Sequence, residues 1–92
     1  MKFNVRFLHE NGDPITRSNV KLYESGFLGM TRHSSTDDDG WAEFEIDGDS
    51  PASFGQVAVQ TSLLGDAFFD CELYFEDGDT GSLTVTDKQY YG

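Results

Sequence analysis

Ninety-two residues confine this chain to one domain with a modest core, since a chain of this size buries roughly 60–65% of its unfolded surface. Seventeen acidic against six basic side chains, a net charge of −11, disfavour direct binding to nucleic-acid backbones or anionic membranes, which need clustered Lys and Arg. A single cysteine, Cys71, excludes an internal disulfide framework, and no apolar stretch approaches the roughly 20 residues needed to span a bilayer.

In chain order, Phe3, Val5 and Phe7 alternate with polar residues and mark a first strand. Asn4, Arg6, His9 and Glu10 interrupt any apolar run there, so no signal peptide is expected and a reducing, cytoplasmic setting fits best. Glu10-Asn11-Gly12-Asp13-Pro14 is a turn, because Asn-Gly and Asp-Pro both favour chain reversal. Val20 and Leu22 mark a second strand. Ser25-Gly26-Phe27-Leu28-Gly29 then breaks the chain, and a weak third strand is expected from about Met30 to Ser35.

Thr36-Asp37-Asp38-Asp39-Gly40 follows, a polar turn whose glycine is free to take positive φ. It runs into a fourth strand with Ala42, Phe44 and Ile46 on one face and Trp41, Glu43 and Glu45 on the other. Asp47-Gly48-Asp49-Ser50-Pro51 closes that strand, and Gln56–Gln60 reads as a fifth with Val57 and Val59 inward. The strongest strand places Phe69, Cys71, Leu73 and Phe75 opposite Asp70, Glu72, Tyr74 and Glu76. A last strand points Leu83 and Val85 inward. A two-residue Asp77-Gly78 hairpin would turn Leu83 and Val85 onto a polar face. A three- or five-residue loop, or a bulge at Gly81, is therefore expected, with Leu73 facing Leu83 and Cys71 facing Val85.

Seven short strands punctuated by turns predict an all-β fold, a single seven-stranded antiparallel β-sandwich over residues 1–88 with a short tail at 89–92. If the chain crosses the sandwich at every strand, one end gathers Asn11–Pro14, Asp37–Gly40 and Leu63–Asp66. The other end then gathers Gly26–Gly29, Asp47–Pro51 and Asp77–Gly81.

Val5 to Ile15, Asn19 to Tyr23 and Thr36 to Phe44 together resemble the first half of a carboxypeptidase regulatory-like domain, within the transthyretin-like and Cna B-type sandwiches. The resemblance spans about residues 3–46 and implies a prealbumin-like, immunoglobulin-like sandwich serving as a non-catalytic stabilising, adhesive or partner-binding module. Many Cna B-type domains form an isopeptide bond from a Lys late in the first strand. Here Phe7, Leu8, His9, Glu10 and Asn11 precede Gly12, none is Lys, and Lys2 lies too early.

No catalytic constellation is visible. His9 and His33 lack ligand spacing, and Cys71 falls on an apolar face. His33-Ser34-Ser35 with Asp37 offers the residue types of a triad, but types without geometry are common in any chain. Asp37, Asp39 and Gly40 fail a helix-loop-helix calcium loop because Ile46 stands where its glutamate is required, leaving only a looser site with Asp13 or Asp66. No enzyme, cofactor or metal is therefore expected.

Charge is uneven, from +2 over residues 1–32 to −13 over residues 33–92. The expected role is a protein-interaction module for a partner with a basic surface, through Trp41, Tyr74, Phe27, Asp37, Asp38, Asp39, Asp47, Asp49, Asp77 and Asp79. Two alternatives stand beside it: a nucleic-acid mimic that inhibits a DNA- or RNA-binding enzyme, and a carbohydrate-binding sandwich using Trp41. The state expected is a monomer or an edge-strand homodimer. Leu63 and Leu64 are either plugs over the core or, if solvated, contact residues.

Overall fold

The alternating segments become seven strands: β1 (Lys2–His9), β2 (Asn19–Glu24), β3 (Thr31–Ser35), β4 (Trp41–Glu45), β5 (Ala52–Ser62), β6 (Gly65–Phe75) and β7 (Thr80–Val85). One helical turn, α1 (Asp87–Tyr91), follows. The structure is a computed structural model that describes residues 1–26 and 29–92; Phe27 and Leu28 lie outside the described residues. Two sheets face each other, a three-stranded one in the order β4-β1-β7 and a four-stranded one in the order β3-β2-β5-β6. The seven-stranded β-sandwich expected from alternation is thus present.

Between the sheets lie Phe3, Val5 and Phe7 of β1, Val20 and Leu22 of β2, Ala42 and Phe44 of β4, and Phe54, Val57 and Val59 of β5. Phe75 and Val85 complete this layer from the last two strands. Phe3 is its hub. Its ring stacks on Phe75 at 4.5 Å and on Phe44 at 5.4 Å and leans on Phe54 at 5.7 Å, so one side chain joins both sheets. Full burial of a phenylalanine contributes roughly 1.5–3 kcal/mol, and ring pairing adds about 0.5–1.5 kcal/mol per pair.

The turn at residues 36–40 is held from within and from below. Asp37 accepts the backbone N–H of Asp39 at 2.8 Å and of Trp41 at 3.0 Å. Gly40 sits at φ +85°, and its carbonyl accepts the Phe7 N–H at 2.8 Å. A Cβ there would meet the Phe7 carbonyl oxygen at 2.6 Å, so glycine is required by space as well as by φ.

Several expectations are corrected. β6 and β7 form no hairpin pair: β7 crosses to the other sheet and runs parallel to β1, with Asn4 opposite Thr80 and Phe7 opposite Leu83. Leu73 and Leu83 therefore belong to different sheets, and one strand pair of the sandwich is parallel rather than antiparallel. The cause lies in the connecting turn. Lys2 N–H donates to the Asp77 carboxylate at 2.8 Å and Gly78 N–H to the Lys2 carbonyl at 2.7 Å, which fastens the turn to the start of β1. Leu83 and Val85 then face the core without any register slip, and no bulge forms at Gly81. Instead, the missing side chain of Gly81 makes room for the Phe75 ring, which a Cβ would meet at 2.8 Å.

β5 is longer than the expected Gln56–Gln60, because its phase changes at a bulge between Phe54 and Gln56. That shift lets Phe54, Val57 and Val59 all face inward, which strict alternation would forbid.

The chain end is ordered by a capping box in which Thr86 accepts the Gln89 N–H and the Gln89 side chain accepts the Thr86 N–H. Tyr90 meets His9 edge to face at 4.7 Å and packs on the core margin.

Candidate interaction surface

Strand crossing distributes the connections as alternation implied. One end carries residues 10–18, 36–40 and 63–64 with α1, and the other carries residues 46–51 and 76–79 beside Met1. The predicted contact residues are consequently divided. Asp37, Asp38 and Asp39 lie at the first end; Asp47, Asp49, Asp77 and Asp79 lie at the second; Phe27 lies outside the described residues.

Several of these acids have structural work. Besides Asp37, Asp38 receives the Arg17 guanidinium at 2.7 and 3.3 Å. That hydrogen bond and the adjoining charge hold the Asp38 carboxyl below its ordinary pKa. Arg6 Nε donates to the Asp39 carbonyl at 2.9 Å. Asp77 accepts Lys2 N–H, and Asp79 accepts Glu76 N–H at 2.7 Å. Among the described residues, the carboxylates of Asp47 and Asp49 take no such bond and stand exposed beside Gly48.

The two aromatic candidates do not share a surface. Trp41 is half-buried on the outer face of the three-stranded sheet, with the Arg6 guanidinium 6.0 Å over its ring. Tyr74 is on the outer face of the four-stranded sheet, where its hydroxyl donates to Glu76 at 3.1 Å. That bond, then partial desolvation and the Glu76 and Asp79 charges, raise its pKa. Among the described residues no second aromatic ring stacks on Trp41.

The residues weighed for other chemistries on sequence are placed as follows. Lys2 points outward beside Glu45 at 4.0 Å, away from any isopeptide partner in the core. His33 is exposed, whereas the Ser34 hydroxyl points the other way and donates to the Glu43 carbonyl at 2.6 Å, closing β3 against β4. Among the described residues no three His, Cys, Asp or Glu side chains converge in a metal-ligand arrangement.

What the structure does assemble lies along the β5–β6 hairpin. Leu63 and Leu64 form its two-residue tip and are 88% and 97% exposed, so they plug nothing. Phe68, on the outer face of β6, is 56% exposed and leans toward Tyr23 with 6.2 Å between ring centres. Phe68 also lines an open groove with Tyr90 and Tyr91, and Leu63 lines a neighbouring one with Arg17 and Tyr90. The contact alternative for the leucines was legible; what brings Tyr90 and Tyr91 beside Phe68 is the packing of α1 on β5 and β6.

A second feature of β6 is its inner side. Phe69, Cys71 and Leu73 face the core but are only half-buried, as is Leu83 across the gap on β7. The opposite margin is closed: there Arg32 and Ser34 of β3, and Thr36 just after it, point inward, and Arg32 pairs with Glu24 at 2.9 Å. Burial, with a smaller contribution from Asp70, pushes the Cys71 thiol above its usual pKa.

No protein-family model matches the chain, and no curated protein matches it. Among solved structures, it is similar in fold to (S)-allantoin synthase, with a TM-score of 0.57 and 15% identity over 91% of this chain. A 9R-lipoxygenase from Cyanothece PCC8801 gives a TM-score of 0.51 and 13% identity, also over 91% of this chain. This chain spans 39% and 16% of their respective lengths, and at such identity the likeness concerns the sandwich alone.

Proposed function

We propose that this chain is a non-catalytic, transthyretin-like interaction module of the cytoplasm that uses its β5–β6 hairpin to hold a protein partner with a basic surface. The observation that carries the reading is the pair Leu63 and Leu64, solvated at the tip of a long hairpin with Phe68 close behind. Scattered single apolar side chains are ordinary on a surface, but two adjacent leucines at a tip would each lose roughly 1.5–3 kcal/mol of solvation penalty on being covered. The net charge of −11 supports a basic partner, because complementary potentials speed encounter and reject like-charged competitors. The two-sheet arrangement of seven strands supports the resemblance to partner-binding sandwiches. Among the described residues no helix is long and apolar enough to cross a membrane.

The test is capture from host lysate by the full chain and by a Leu63→Ser/Leu64→Ser variant, at low and high salt. A partner retained by the parent chain and lost by the variant is the expected result. A nucleic-acid enzyme released by salt from both chains would replace this reading with carboxylates imitating phosphates. Binding of glycans that disappears with Trp41→Ala alone would replace it with carbohydrate recognition.

A further inference from the structure

The exposed edge of β6 has a distinctive chemistry. Its outer face presents Asp66, Phe68, Asp70, Glu72 and Tyr74, and its inner face presents Phe69, Cys71 and Leu73, half-buried at the open margin of the sandwich. Burial alternates along β6 even through the irregularity in its pairing with β5, where Cys71 and Glu72 stand opposite the single residue Gly55. Among the described residues β6 pairs with β5 alone in the four-stranded sheet, so its other edge carries backbone donors and acceptors with no strand beside them. Buried ends bound the seam: Ala67 lies next to α1, and Phe75 precedes the turn at residues 76–79. The open run from Phe69 to Leu73 matches an incoming strand of about five residues, roughly 17 Å long.

We infer that the β6 edge accepts an extended segment of its protein partner in which apolar and basic residues alternate. This deepens, and rests on, the proposed role as an interaction module. The apolar side chains enter the margin between β6 and β7 and cover Phe69, Cys71, Leu73 and Leu83. The basic side chains fall on the outer face, within cross-strand reach of Asp70 and Glu72. A second copy of this chain fits poorly, because it would bring a further net charge of −11 against the same acidic edge. The closed margin shows the contrast: β3 fills its inner side with polar groups that find partners within the chain, whereas Phe69, Cys71 and Leu73 of β6 pack on the core with one side only and stay half-exposed on the other.

The experiment uses the full chain and a synthetic heptapeptide alternating Lys with Val or Ile. Controls are a shuffled peptide with its lysines clustered, and the alternating peptide N-methylated at every second residue. Fluorescence anisotropy reads affinity, and the rate of Cys71 alkylation reads occupancy of the margin. Expected are affinity for the alternating peptide at least about tenfold above that of the shuffled one, loss on N-methylation, and slowed alkylation. An Asp70→Lys/Glu72→Lys chain should reverse the preference toward an alternating Glu peptide. Equal binding of alternating and shuffled peptides would overturn the inference in favour of unspecific charge attraction. Unchanged alkylation, or a chain that is dimeric with Cys71 already shielded, would overturn it too. The interaction role is judged separately: partner capture lost with Leu63→Ser/Leu64→Ser stands whether or not any peptide binds.

Discussion

At the scale of single residues, Gly40 and Gly12 separate two costs that are usually confounded. Both take positive φ, +85° and +93°, but a Cβ at Gly12 meets nothing within 4 Å while one at Gly40 meets the Phe7 carbonyl at 2.6 Å. Gly12→Ala should therefore lose only the conformational term, roughly 1–2 kcal/mol, whereas Gly40→Ala adds displacement of β1 and should lose clearly more. Urea denaturation of both variants measures this, and equal losses would show that the turn yields freely. Cys71 allows a pH test. Its pKa is raised by burial, so the folded chain holds the thiol proton more tightly than the unfolded one. The stability this supplies is complete below the unfolded thiol pKa and is lost as pH rises through the folded value. Alkylation should accordingly be slow at neutral pH and rise with a midpoint above that of a free thiol, about 8.5. A midpoint at or below the free value would contradict the half-buried placement.

Elements add constraints that no single residue carries. β7 is joined to β1 because the 76–79 turn is bonded to Lys2, and the Phe75 ring occupies the space above Gly81. Gly81→Ala should force that ring aside and destabilise the domain by about 1–3 kcal/mol, read as a lower denaturation midpoint. A neutral result would mean that the ring relocates without strain. The alternation of Leu83 and Val85 was legible as a strand, and the need to bury them excluded a simple hairpin. The solution actually used, a change of sheet, depends on a turn that contacts residues some 75 positions away, which a local pattern does not contain.

For the whole molecule, charge is the dominant global quantity. A net charge of −11 on 92 residues makes the folded state repel itself, so added salt should raise the melting temperature as the screening length falls from about 30 Å at 0.01 M to about 8 Å at 0.15 M. Calorimetry across that range tests the point, and a falling melting temperature would mean that ion pairs such as Arg32–Glu24 outweigh the repulsion. The same charge disfavours self-association through β6.

Period-two alternation and glycine and proline punctuation were enough to determine seven strands, the inward faces of β1, β2, β4, β6 and β7, and the positive-φ turn at Gly40. These are local properties, because a strand's faces and a turn's dihedrals follow from neighbouring residues. Only the tertiary structure decided that β7 lies parallel to β1 and that Trp41 and Tyr74 are on opposite faces. It alone also left Phe69, Cys71 and Leu73 on an uncovered margin. Sheet membership and edge exposure depend on which strands meet, and that is fixed by contacts between residues far apart in the chain.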